Sequence, residues 1–222
     1  MSMTRRGFLR RSAAALPLLV PSVVLGKGSR SAPSNRITLG VIGLGARNIS
    51  NLTHFCEQPD VQCLAVCDCF ASRRQRGKEM IDRRYGNRDC LATRFHEEVL
   101  GWPDIDAVLI GTGDRWHGVL SMLAARSGKD VYCEKPCCLT IAEGRALVST
   151  TRRYGTVWQC GTQRRSNGTY RFVVDVVRRG LIGKLHTITT FLGGWGGNGV
   201  ARPEPPPDPN VFDYDQIGRA HV

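Results

Sequence analysis

The chain has 222 residues, 41% hydrophobic and 23% charged, proportions that exclude wholesale disorder and allow one large or two small domains with a real core. Its formal charge of +12 raises the question of nucleic acid, yet seven basic residues (Arg5, Arg6, Arg10, Arg11, Lys27, Arg30 and Arg36) fall within residues 1–36, which hold no Asp or Glu. The remaining excess is spread along helices, in pairs such as Arg73-Arg74, Arg83-Arg84, Arg152-Arg153 and Arg178-Arg179, which reads as solvated helix face and argues against a nucleic-acid partner.

The first segment pairs basic residues with an apolar run. Thr4-Arg5-Arg6-Gly7-Phe8-Leu9-Arg10 resembles a twin-arginine export signal, an address read by the export machinery. The run that follows, SAAALPLLVPSVVLG, is short and broken by Pro17 and Pro21, so it does not read as a membrane span. Small residues at Val24-Leu25-Gly26 suit cleavage, so residues 1–26 are expected to be a signal that directs the protein to the periplasm. A polar Gly/Ser-rich linker follows at 27–35.

From Arg36 the pattern alternates. Strands are predicted at Ile37–Ile42, Val61–Cys67, Leu91–Phe95, Ala107–Gly111, Val131–Cys133 and Val157–Cys160. Helices are predicted between them: from the Gly turn to about Cys56, over Ala71–Tyr85, and from about Arg115 to Ser127 with Gly128 as its stop. A further helix opens at the capping box Thr140-Ile141-Ala142-Glu143 and ends near Tyr154-Gly155. Short strands alternating with helices predict an α/β fold, a Rossmann-type doubly wound parallel sheet over 36–160. Residues 161–216 read differently. A helix over Thr169–Arg179, a long strand over Leu185–Leu192 and a proline-rich stretch are expected to begin an open-sheet α+β second domain that is not completed. Residues 217–222 can be encoded by ATC GGA AGA GCA CAC GTC, which resembles a widely used sequencing adapter read in frame; they are expected to be a non-native tail.

Two local motifs carry chemistry. The first strand runs into Gly43-Leu44-Gly45-Ala46-Arg47-Asn48, where the first two glycines suit a dinucleotide turn at a helix N-terminus and Asn48 stands in place of the third. Glycines also make ordinary strand–helix turns, but Asp68 after the second strand suits an adenosine ribose and favours NAD. Arg73 and Arg74 pull towards NADP, since an Arg there can hold a 2′-phosphate. The second motif is Glu134-Lys135-Pro136 at the end of a strand, where such sheets bind ligands. By itself it also reads as a surface Glu-Lys before a proline turn.

GVIGLGARN, AVCD, GTGDRWHG, GKDVYCEKP and TQRRS occur in this order and at this spacing, and together they resemble the Gfo/Idh/MocA oxidoreductase family from Arg36 to about Asp215. The resemblance implies that Gly43, Leu44, Gly45, Arg47, Asn48 and Asp68 bind NAD(P), and Asp68 makes NAD the expected cofactor over NADP. It implies that Thr112, Gly113, Asp114, Trp116 and His117 pack against the nicotinamide half. Glu134, Lys135 and Pro136 would lie beside nicotinamide and substrate as cofactor contacts, with Lys135 also catalytic and the Lys135–Pro136 bond cis; Gln163 would be a further cofactor contact, near the domain junction with Arg165. Many relatives have Pro at the position of Gly113 and His at that of Arg115, differences that bear on substrate more than on cofactor. The family's second domain supplies most substrate contacts, much of the homo-oligomer interface, and an Asp and a His near the nicotinamide. None of these is assignable here, where the later histidines are His186 and His221.

The implied activity is hydride transfer between nicotinamide and a sugar, polyol or related metabolite. Some exported relatives instead use tightly held NAD for transient oxidation during glycoside cleavage, and those tend to lack the lysine that stands here as Lys135. A third reading is a nucleotide-binding fragment without turnover. The nine cysteines include no CxxC pair, and no metal site is expected. Those on strands are expected to act as small apolar residues.

Overall fold

The computed structural model describes residues 31–191, 205 and 207–218; the expected signal (1–26) lies outside them, as do residues 27–30 and 219–222. Six parallel strands form one sheet: β1 (Ile37–Ile42), β2 (Val61–Cys67), β3 (Leu91–Thr93), β4 (Ala107–Ile110), β5 (Asp130–Glu134) and β6 (Trp158–Gly161). Their order is β3-β2-β1-β4-β5-β6. Helices α1 (Ala46–Glu57), α2 (Ala71–Tyr85), α3 (His96–Gly101), α4 (His117–Arg126) and α5 (Ile141–Tyr154) connect them. This is the doubly wound Rossmann order, with its switch point between β1 and β4.

Residues alternate between the two faces of each strand, so a single apolar run serves two cores. On one face Leu39, Val41, Val66 and Leu109 pack with Leu44 and Leu52 of the β1–α1 segment and with Ile81 of α2. On the other, Ile42, Ala65, Val108 and Ile110 pack with Val99, Leu100, Leu120 and Ala124. Gly40 faces the second core, where a Cβ would fall 2.5 Å from Val99 Cγ1, so β1 and α3 approach closely only because that residue is glycine.

The helix ends follow local chemistry. Gly86, Gly128 and Gly155 close α2, α4 and α5 with φ of +68°, +72° and +68°. Thr140 accepts the Glu143 N–H at 3.1 Å, and the Glu143 carboxylate reaches back to the Leu139 N–H at 2.6 Å. Helix α3 was not predicted. Its six residues are too few to show a period, and burial of Val99 and Leu100 holds it in place.

Beyond β6, α6 (Gly168–Arg178) is capped by Asn167, whose side chain accepts from Thr169 and Tyr170 N–H. Its apolar residues Phe172, Val173 and Val174 are exposed. The strand predicted over Leu185–Leu192 is not formed. Residues 185–191 are irregular and exposed, and Leu192 lies outside the described residues. An extended segment needs a partner ladder to become a strand, and no described strand lies beside it. Residues 214–218 form a short helix, α7.

All nine cysteines are free thiols. Burial pushes Cys133 up to about 12, and burial followed by the Asp68 charge raises Cys69 to about 11 and Cys67 further still. Because the thiolate is the reactive form, alkylation at pH 8 is expected to leave Cys67 and Cys133 unmodified in the folded protein and to label both in denaturant. Peptide mass mapping that finds Cys133 labelled under native conditions would contradict this account.

Candidate functional site: a nucleotide cleft at the carboxyl edge of the sheet

At the end of β1 the chain must turn sharply into α1. Gly43 does so with φ +88°, and a Cβ there would lie 2.6 Å from the Gly111 carbonyl oxygen, so both conformation and space demand glycine. Gly45 is different. Its φ is −63°, within the ordinary range, and no atom of the described residues lies within 4 Å of where a Cβ would stand. Neither backbone angle nor packing among the described residues requires a glycine at this place. The same holds for Gly113, with φ −71° and open space beside it. Helix α1 begins at this point with no side-chain cap and no acidic residue in its first turn. Its unpaired N–H groups and positive dipole end suit a pyrophosphate. These two vacant glycines and the uncapped helix fit a dinucleotide.

Asn48, at the third glycine position, is fully buried and donates to the Gly43 carbonyl at 2.7 Å, bracing the turn from inside. The close helix–sheet approach normally permitted by a glycine on the helix is here permitted by Gly111, whose Cβ would fall on the Asn48 side chain. Gly111→Ala is therefore expected to destabilise the fold by about 1–3 kcal/mol, as overpacking does. Adding Asn48→Gly is expected to recover part of that loss. Urea midpoints test this, and an unshifted midpoint for Gly111→Ala would refute the close-packing argument.

Asp68 follows β2 and is 6% exposed. Oδ2 accepts the Leu44 N–H at 2.7 Å and Oδ1 accepts the Phe70 N–H at 2.8 Å. The Cys69 thiol also donates to Oδ1, at 3.7 Å, so the carboxylate is fixed in place while Oδ2 keeps lone-pair capacity for a ribose hydroxyl. Arg74 is committed to the fold, donating to the Asp68 carbonyl at 2.7 Å. Arg73 lies 3.9 Å from Asp68 Oδ2 and over the Phe70 ring at 4.2 Å.

On the β4 side, Thr112 and Gly113 lead into a 3₁₀ turn, Asp114–Trp116, and then α4. Trp116 is buried and meets the His96 ring edge to face at 5.6 Å. Burial holds His96 below the ordinary histidine value, although the Glu97 charge opposes this. His117 is 1% exposed; its Nδ1 is 2.6 Å from the Pro136 carbonyl, so it donates there and fixes the loop after β5. Its Nε2 is buried without a partner.

Glu134 is a brace. Asn51 donates to its Oε1 at 2.8 Å, Gln163 donates to the same oxygen, and Arg47 Nε stands 3.9 Å away. The Lys135 N–H donates to Oε2 at 3.2 Å, and the Lys135–Pro136 bond is cis. Lys135 itself is exposed at the carboxyl edge of the sheet.

Of the residues singled out from the sequence, Gly43, Gly45, Asp68, Thr112, Gly113 and Trp116 line one cleft of about 220 Å³. Leu44 and Asn48 lie beneath it, fully buried. Arg47 and Asp114 are exposed, and Glu134 and Gln163 belong to the brace. Sequence reasoning missed Phe70, Arg94, His96 and Gln216, which also line the cleft. Phe70 and His96 lie three residues past the ends of β2 and β3, and Arg94 immediately follows β3, which ends at Thr93 where the predicted strand ran on to Phe95 and so kept Arg94 inside it.

Residues 37–162 match the family described as the oxidoreductase family with an NAD-binding Rossmann fold, Gfo/Idh/MocA. The chain belongs to this family. An alpha-N-acetylgalactosaminidase from Shewanella oneidensis is 30% identical over 154 residues, covering 67% of this chain and 33% of the relative. A glycosyl hydrolase family 109 protein from Shewanella baltica is 28% identical over 203 residues, covering 82% of this chain and 44% of the relative. This Gfo/Idh/MocA chain thus spans a third to under half of the length of these relatives. Among solved structures, a 3-ketoreductase from Actinomadura kijaniata in complex with NADP and TDP-benzene aligns with TM-score 0.60 at 23% identity, over 68% of this chain and 44% of that one. Myo-inositol 2-dehydrogenase from Lactobacillus plantarum aligns with TM-score 0.58 at 24% identity, over 67% and 43%.

Proposed function

We propose that this chain is the nucleotide half of an NAD-dependent oxidoreductase acting on a sugar, polyol or related metabolite. Bound nicotinamide would supply hydride chemistry at its C4. The observation that carries this reading is the pair of glycines, Gly45 and Gly113, left vacant in one cleft with the carboxylate of Asp68. The α1 N-terminus would hold the pyrophosphate, Asp68 would accept from the ribose, and Lys135 would move a proton at the substrate oxygen. Lys135 can do so because the Glu134 brace and the His117–Pro136 bond fix the backbone on both sides of it. The exposed apolar side of α6 and the unladdered residues 185–191 support the view that the 222-residue chain binds nucleotide without turning substrate over. The arginine pair near the start supports twin-arginine export of an already loaded protein, which protease protection in host periplasmic fractions tests.

Titration of the chain with NADH, followed by nicotinamide fluorescence, should give a saturable signal, tighter than with NADPH. Absence of saturation with either nucleotide would sink the reading. A second reading, NAD-assisted glycoside hydrolysis, is favoured by the names of the Shewanella relatives. Full-length protein that accumulates NADH with a free sugar supports the oxidoreductase. Release of sugar from a glycoside with no net NADH supports the hydrolase.

A further inference from the structure

Residues 207–216 are far along the chain from the sheet, yet they lie on the loop that carries Asp68. The Ala71 N–H donates to the Val211 carbonyl at 3.0 Å and the Asp213 N–H to the Cys69 carbonyl at 3.1 Å, so Phe70 and Phe212 pair as an isolated antiparallel bridge. Their rings stack at 4.2 Å, with 26° between planes. Asp213 makes two further contacts. Its Oδ1 accepts the Gln216 N–H at 3.0 Å, and its Oδ2 stands 3.6 Å from Arg94 Nε. Its side chain is 15% exposed, against 44% for that of Arg94.

The charges around the cleft make this contact consequential. Arg73 and Arg94 both line the cleft with Asp68. Two guanidinium groups beside a ribose would favour a 2′-phosphate, since bidentate donors match phosphate oxygens. Arg73 lies close to Asp68, and Arg94 is drawn to Asp213. Both positive charges are therefore partly neutralised within the protein.

We propose that Asp213 is a specificity-determining residue: by holding Arg94 it keeps the cleft selective for the unphosphorylated ribose of NAD, while Phe212 latches the segment onto the Asp68 loop. This rests on the cleft being a nucleotide site. Asp213→Asn keeps an oxygen for the Gln216 N–H and leaves the backbone bridge intact, so it removes the charge and little else. NADPH affinity is expected to rise about tenfold relative to NADH, the worth of one charge-assisted hydrogen bond. Arg94→Ala added to Asp213→Asn should abolish the gain. Phe212→Ala should loosen the segment that carries Asp213 and so shift the NADH-to-NADPH ratio in the same direction as Asp213→Asn, by a smaller factor.

The measurement is the pair of dissociation constants for NADH and NADPH on the 222-residue chain and its variants, by fluorescence titration, with circular dichroism confirming the fold. An NADH-to-NADPH ratio unchanged by Asp213→Asn overturns the proposal even where both nucleotides bind. A gain in NADPH affinity that survives Arg94→Ala also overturns it. Failure of the unaltered chain to bind either nucleotide is a distinct result, and it removes the nucleotide site itself.

Discussion

Gly45→Ala is expected to leave the fold and its urea midpoint unchanged while weakening NADH binding by about a hundredfold, the equivalent of two charge-assisted hydrogen bonds to phosphate. A methyl group at this place meets no atom of the described residues, and φ −63° suits alanine. It would instead occupy the space through which the pyrophosphate reaches the α1 N–H groups. Gly43→Ala is the contrasting control. With φ +88° and the Gly111 carbonyl 2.6 Å from the new Cβ, it should lower stability directly, and any loss of binding would follow from that. The pair thus separates a glycine kept for the chain from one kept for a ligand. If Gly45→Ala binds NADH normally, the pyrophosphate does not lie on this turn.

Lys135→Ala is expected to lower kcat in full-length, active protein by about 10²–10⁴-fold, the usual contribution of a positioned acid or base, with nucleotide affinity changed less than about twofold. The side chain is exposed at the sheet edge, outside the residues that line the cleft, so its removal leaves the lining of the cleft in place. Its backbone is held from both sides, by Glu134 and by the His117–Pro136 bond, so the variant should fold. Lys135→Arg should not restore the rate, because a guanidinium does not give up its proton. Full activity in Lys135→Ala would remove the lysine from the chemistry and favour the hydrolytic reading.

The arrangement of these groups was legible to different depths. The Gly turn, the acidic residue after β2, the capping box at Thr140 and the glycine stops of α4 and α5 are short-range patterns, and each formed where the residues indicated. Glu134 and Gln163 were singled out as cofactor contacts; the structure shows Glu134 Oε1 accepting from both Gln163 and Asn51, a brace linking β5, α1 and the turn after β6. Nothing local to Glu134 announces Asn51, which lies 83 positions earlier. The exchange of glycine from position 48 to position 111 was equally hidden, because it is a relation between a helix and a neighbouring strand.

By itself, then, the sequence determined the alternation of strand and helix, the parallel sheet and the position of the nucleotide turn, because these depend on periodicity and on backbone angles that single residues set. Only the tertiary structure decided which polar groups remain available to a ligand. Gly45 and Gly113 face open space while Asn48 and Glu134 are consumed by the fold, a difference that depends on neighbours remote in the chain. The same holds for the segment around Phe212, which reads as a proline-rich connection and yet lies on the loop of Asp68. Stacking of two rings and pairing of two charges across the fold placed it there, and neither partner carries a mark of the other in its own stretch of sequence.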